Sequence, residues 1–72
     1  MKILFTKHSK ETIEERHLLK EEVVDSIKYP DKITKKNYKY FFIKKLNRGT
    51  IETCCQRTES YLKVITIYWY RK

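Results

Sequence analysis

A single proline, Pro30, divides this chain into two patterns that do not fit one kind of secondary structure. The residue before a proline is pushed out of helical backbone, so a helix has to stop there. Upstream, Lys2 to Thr6 reads as a short strand, and Ser9-Lys10-Glu11-Thr12 opens a helix that runs to about His17. Ile13, Leu18 and Leu19 supply its packing. A second helix, from about Lys20 to Tyr29, places Val23, Val24 and Ile27 on one side. Downstream, Ile, Thr, Tyr, Phe and Val dominate, and turn signals recur at hairpin spacing. Four strands are expected: Asp31 to Lys36, Lys39 to Leu46, Thr50 to Thr58 and Tyr61 to Tyr70. Turns fall near Asn37, at Asn47-Arg48-Gly49 and at Glu59-Ser60. The expectation is an α+β domain: a short N-terminal strand, two helices, then a four-stranded antiparallel meander with the helices on one face and the other face open.

Size excludes much. With 72 residues the chain is expected to be one domain spanning positions 1–72, burying only about 60% of the surface it exposes when unfolded. That leaves no room for a deep cofactor cavity, and no cofactor is expected. Aromatic residues at 14% are too many for a disordered basic tail. No apolar run approaches the roughly 18 residues of a spanning helix, and Lys7 and His8 interrupt the N-terminal apolar stretch too soon for a signal peptide. A cytoplasmic, non-membrane protein is expected. Cys54 and Cys55 are adjacent and point to opposite faces of an extended chain, while His8 and His17 lie on opposite sides of a helix. Neither pair suits a metal, and none is expected.

The charge is asymmetric. Met1 to Asp31 holds six basic and seven acidic residues, whereas Lys32 to Lys72 holds eleven basic and two acidic, giving the net +8. A basic surface attracts polyanions, of which nucleic acid is the commonest in cytoplasm. In the last expected strand Tyr61, Lys63, Ile65, Ile67 and Trp69 alternate with Leu62, Val64, Thr66, Tyr68 and Tyr70. If the set with Thr66 and Tyr68 joins Tyr40, Phe42 and Lys44, the open face carries rings for base stacking and cations for phosphates. The same face would equally hold a partner protein or a second copy of the chain.

The order Thr6-Lys7-His8, Ile13-Glu14-Glu15-Arg16, Val23 to Pro30, the Gly49 hairpin and Val64-Ile65-Thr66-Ile67-Tyr68 resembles a small prokaryotic domain-of-unknown-function family. That family looks like an outlying branch of the RelE and BrnT type of toxin. The resemblance implies helices packed on a twisted antiparallel sheet, cleavage of messenger RNA, often at the ribosome, and an antitoxin-like partner protein. Tyr68 stands where toxins of the BrnT kind usually carry an arginine.

Metal-free RNA cleavage needs a base for the ribose 2′-hydroxyl, an acid for the leaving oxygen and a cation for the phosphorane. His8, at a strand-to-helix junction, is a candidate acid or base. Arg16, eight residues later, has no acidic residue three or four positions away and is a candidate phosphate grip. With Tyr68 these form the candidate catalytic set. Lys44, Arg48, Arg57, Tyr40 and Thr66 are candidate RNA contacts, with Arg57 reaching the open face only through a bulge or strand end. The readings that follow are an endoribonuclease toxin, a noncatalytic RNA-binding module, and an interaction domain.

Overall fold

A computed structural model describes residues 2–71. The elements run β1 (Lys2–Phe5), α1 (Lys7–Glu15), α2 (Lys20–Lys28), β2 (Lys32–Lys36), β3 (Lys39–Leu46), β4 (Gly49–Arg57) and β5 (Tyr61–Trp69). The architecture is α+β, as expected, but the sheet is five-stranded and mixed, in the order β1-β5-β4-β3-β2. β2 to β5 pair in sequence antiparallel, and β1 lies parallel on β5, from Lys2 beside Tyr61 to Phe5 beside Val64. The expectation of a purely antiparallel four-stranded sheet is therefore corrected. A parallel partner needs a long connection, and the two helices with the three intervening strands provide it.

α1 begins two residues earlier than its Ser9 signal. Thr6 is the cap: its hydroxyl accepts from the Ser9 N–H at 3.0 Å and donates to the Val64 carbonyl at 2.9 Å, tying the helix start to β5. α1 ends at Arg16, with His17 in the left-handed region at φ 56°. The N–H of Leu18 reaches the Ile13 carbonyl and that of His17 the Glu14 carbonyl, a Schellman end whose buried Ile13 and Leu18 form its apolar clasp. α2 starts where Glu22 accepts from the Leu19 N–H at 2.9 Å, and it stops before Pro30. Gly49, at φ 142°, sits against the Trp69 ring, where a Cβ would come within 3.1 Å of Cζ3.

The core lies between the helices and one sheet face. Val23, Phe42, Ile51, Cys55, Leu62, Val64 and Ile67 are buried there, with Ile3, Phe5 and Trp69 packed around them. The strand register sets Phe42, Thr53 and Ile67 side by side on this face. Ser26 of α2 and Thr53 of β4, both fully buried, share a hydrogen bond of 2.7 Å. Ser26 spends its proton on the Val23 carbonyl at 2.6 Å, so the Thr53 hydroxyl is the donor between them.

β5 carries the feature that strict alternation misses. Cys54 pairs with Thr66 but Cys55 pairs with Val64, leaving Ile65 as the extra residue of a bulge. Leu62 and Val64 before it, and Ile67 and Trp69 after it, all face the helices. Lys63, Thr66 and Tyr68 face away.

Two outcomes follow from these contacts. Ser26→Ala lowers stability by about 1–3 kcal/mol because it strands the buried Thr53 hydroxyl, Thr53→Val costs less because Ser26 keeps its bond to the Val23 carbonyl, and adding Thr53→Val to Ser26→Ala recovers part of the loss; urea unfolding of all four proteins measures the coupling. His17→Gly raises stability by about 1 kcal/mol, since glycine occupies left-handed backbone without steric cost, and the same unfolding assay reads it.

Candidate nucleic-acid interface

The face of the sheet turned away from the helices can be read row by row from the register. One row runs Lys36, Lys39, Gln56, Lys63 and Leu4; the next Thr34, Phe41, Cys54 and Thr66; the next Lys32, Ile43, Glu52 and Tyr68. Lys45 lies beside Thr50, and Lys2 beside Tyr61. Half-buried Phe41, Ile43 and Tyr68 occupy the middle, and lysines lie along both ends. Glu52 is the one acidic residue among these positions. It stands directly across from Tyr68. Burial, together with hydrogen bonding and charge from Glu52, pushes the Tyr68 phenol up to about 12. At neutral pH it is a neutral hydrogen-bond donor and not a base.

The expected aromatic set on this face is corrected. Thr66 and Tyr68 are on it, but Tyr40, Phe42 and Lys44 point to the helix side, because Phe42 pairs with buried Thr53 and shares its face. Both parities of β3 are apolar, so alternation left the choice open, and Phe41 and Ile43 take the outer positions instead. Arg57 also belongs to the helix side, where the helices leave the sheet end uncovered. There its guanidinium lies 6.0 Å from the centre of the Tyr40 ring and donates to the Tyr40 hydroxyl at 3.3 Å, while the Lys35 ammonium lies 5.2 Å from the same ring.

His8, Arg16 and Tyr68 are not brought together. His8 is exposed in the first turn of α1 and Arg16 closes the other end, about 12 Å along the axis at 1.5 Å per residue. Tyr68 lies on the opposite face of the sheet. Arg16 has a structural partner that its sequence neighbours gave no hint of: its Nε donates to the Ile67 carbonyl at 2.9 Å, on the edge of β5 that β1 leaves unpaired. Trp69 Nε1 returns a bond to the Arg16 carbonyl at 3.3 Å. Arg48, in the β3–β4 turn, pairs with Glu22, donates to the His17 carbonyl at 2.9 Å and lies 5.4 Å from the Trp69 ring centre. These two arginines lock the end of α1 to the sheet.

Both cysteines are free and buried, and burial pushes the Cys55 thiol up to about 12, which removes it as a nucleophile at neutral pH. Among the described residues no His, Cys, Asp and Glu side chains gather in a group able to hold a metal ion, and no helix is long and apolar enough to cross a membrane.

The model of a domain of unknown function, DUF4258, matches residues 5–69. The chain belongs to the DUF4258 family. No curated protein and no solved structure matches it. The matched span runs from the end of β1 to the last residue of β5, so this DUF4258 domain includes both helices, the bulge and most of the lysine-bordered face.

Tyr68 gives a direct test of that face. Its neutral phenol is favoured by folding, so its contribution to stability is complete below about pH 10 and disappears as the pH rises through about 12. In an absorbance titration at phenolate wavelengths, the difference between wild type and Tyr68→Phe is a step centred near pH 12. Glu52→Gln moves that step to lower pH.

Proposed function

We propose that this protein binds single-stranded RNA on the uncovered face of its sheet. The observation that carries the reading is the composition of that face: Phe41, Tyr68 and Tyr61 among Lys2, Lys32, Lys36, Lys39, Lys45 and Lys63, with Glu52 as the one acidic residue in the paired rows. Bases stack on rings whatever their identity, and lysines at the ends of the same face meet the phosphates on either side. A second copy of the chain is a poor occupant, because it brings a further +8 against the same lysines. Binding therefore rests on charge and stacking, with little base selectivity.

A second reading, favoured by the likeness to RelE and BrnT toxins, is that the RNA is also cut. Arg16 supports it, since the bond from its Nε to Ile67 fixes the guanidinium in place and leaves both Nη groups for a phosphate. In this reading the frame is RelE-like, an antitoxin-like protein is the natural partner, and the cut lies on the helix side near His8. Binding without cleavage is the better supported of the two, because His8, Arg16 and Tyr68 do not surround one point.

The expected outcome is measured with a fluorescent oligouridylate. Affinity falls with added salt, with a log–log slope of about −0.7 per phosphate contact, and Lys39→Gln or Lys63→Gln each flattens the slope by about that amount. Phe41→Ala weakens binding by roughly tenfold without changing the slope. An affinity indifferent to salt would sink the proposal. Gel analysis of the same RNA decides the second reading: new ends lost in Arg16→Ala establish cleavage, and intact RNA excludes it.

A further inference from the structure

At one end of the sheet the β2–β3 turn and the β4–β5 turn stand side by side, joined by a bond of 2.8 Å from the Arg57 N–H to the Tyr38 carbonyl. Between them is a cleft of about 650 Å³, lined by Asn37, Tyr38, Tyr40, Arg57, Thr58 and Glu59. That volume lies within the range of small-ligand sites, about 300–1,000 Å³. Asn37 holds left-handed backbone at φ 57°, which turns the chain tightly and projects Tyr38 outwards. Tyr38 is 75% exposed, the most exposed large apolar side chain among the described residues.

We propose that this cleft is a nucleotide pocket, taking one base of a single RNA strand on the Tyr38 ring and its phosphate on Arg57 and Lys35. The assignment rests on the RNA reading above and extends it to the other side of the sheet. Arg57 and Lys35 are both held against Tyr40 without a carboxylate, since the ion pair among the described residues is Arg48 with Glu22. Their charge is thus available to an anion. The Arg57 guanidinium uses one Nη on the Tyr40 hydroxyl, which orients the fork and leaves its other N–H groups to donate. Glu59, the carboxylate of the lining, repels phosphate and accepts from hydroxyl or amino groups, so it sets the direction of the nucleotide: sugar and base edge towards Glu59, phosphate towards Arg57 and Lys35.

The pocket is continuous with the open face. Lys36 and Lys39 pair at the base of the same turn and point to that face, and Lys63 lies in their row. A strand leaving the aromatic centre crosses this lysine row, rounds the sheet end and meets Arg57 next.

The experiment uses uridine 5′-monophosphate and a twelve-residue oligouridylate against the whole protein, with amide chemical shifts for the first and fluorescence anisotropy for the second. The expected result is that the mononucleotide moves the amides of residues 37–40 and 57–59, that inorganic phosphate alone moves only those near Arg57, and that Tyr38→Ala and Arg57→Gln each weaken oligonucleotide binding by roughly tenfold. Unchanged thermal unfolding shows that these exposed substitutions leave the fold intact. If both variants bind the oligonucleotide like wild type and the cleft amides stay still, the pocket is overturned while RNA binding on the open face stands. If wild type ignores the oligonucleotide, the open-face reading and the RNA pocket fall together, whatever the mononucleotide does to the cleft amides.

Discussion

The extra residue at Ile65 governs what each face of this sheet can do. Had β5 kept strict alternation, either Leu62 and Val64 or Ile67 and Trp69 would have been turned to solvent, and a chain of this size has no apolar residues to spare. The bulge places all four on the helix side. The same half-turn delivers Lys63, Thr66 and Tyr68 together to the outer face, in line with the lysines of β2 and β3. Core and charged surface are thus two results of one irregularity.

β1 covers β5 only as far as Val64, and the rest of that edge needs donors. α1 supplies them. Thr6 gives both its N–H and its hydroxyl to the Val64 carbonyl, and Arg16 offers a guanidinium N–H to the Ile67 carbonyl where a neighbouring strand would have offered a backbone one. Trp69 then bonds back to the helix end, and Arg48 reaches over it to His17 and Glu22. Arg48 is therefore committed to structure through both Nη groups, while Arg16 is anchored through Nε alone and keeps its Nη groups. Most of the remaining cations are the sheet lysines and Arg57, which moves the expected binding surface away from the α1 end and towards the hairpin turns.

How much of this was legible follows from what local sequence encodes. Pro30, Asn37 and Gly49 act within a few residues, and the elements they bound appear where their chemistry puts them. The pairing of β1 was illegible because it joins residues about sixty positions apart and four residues carry no register of their own. Orientation of β3 is ambiguous from alternation because Tyr40 and Phe42 are as apolar as Phe41 and Ile43, and the choice is made by packing against β4, whose Thr53 is bonded to Ser26 of α2 on the face that Phe42 shares. The bulge has no composition signal, since Ile65 suits a regular strand as well as a bulged one. The two apolar parities of β3 are also why alternation puts Tyr40 and Lys44 on the wrong face and does not reveal the grouping of Arg57 and Lys35 around Tyr40. Arg16 lacks an acidic neighbour in sequence because its partner is a backbone carbonyl of β5, which no local carboxylate pattern encodes.

The chemistry on the outer face favours holding an RNA over cutting it. Cleavage needs groups that exchange protons near neutrality within reach of one phosphate. The outer face offers lysines, a phenol kept neutral beside Glu52, and the thiol of Cys54, which burial pushes upwards. Both histidines belong to the helix layer behind it. A surface of this kind can neutralise phosphates and stack bases while lacking a partner for the 2′-hydroxyl proton, and that combination makes affinity depend on salt and strand length more than on sequence. Any cutting would have to occur where Arg16 holds its guanidinium against β5, on the side of the sheet that the stacked bases do not touch. An RNA long enough to round the sheet end through the Arg57 cleft is the geometry that would connect the two sides, so strand length is the variable on which binding and cleavage separate.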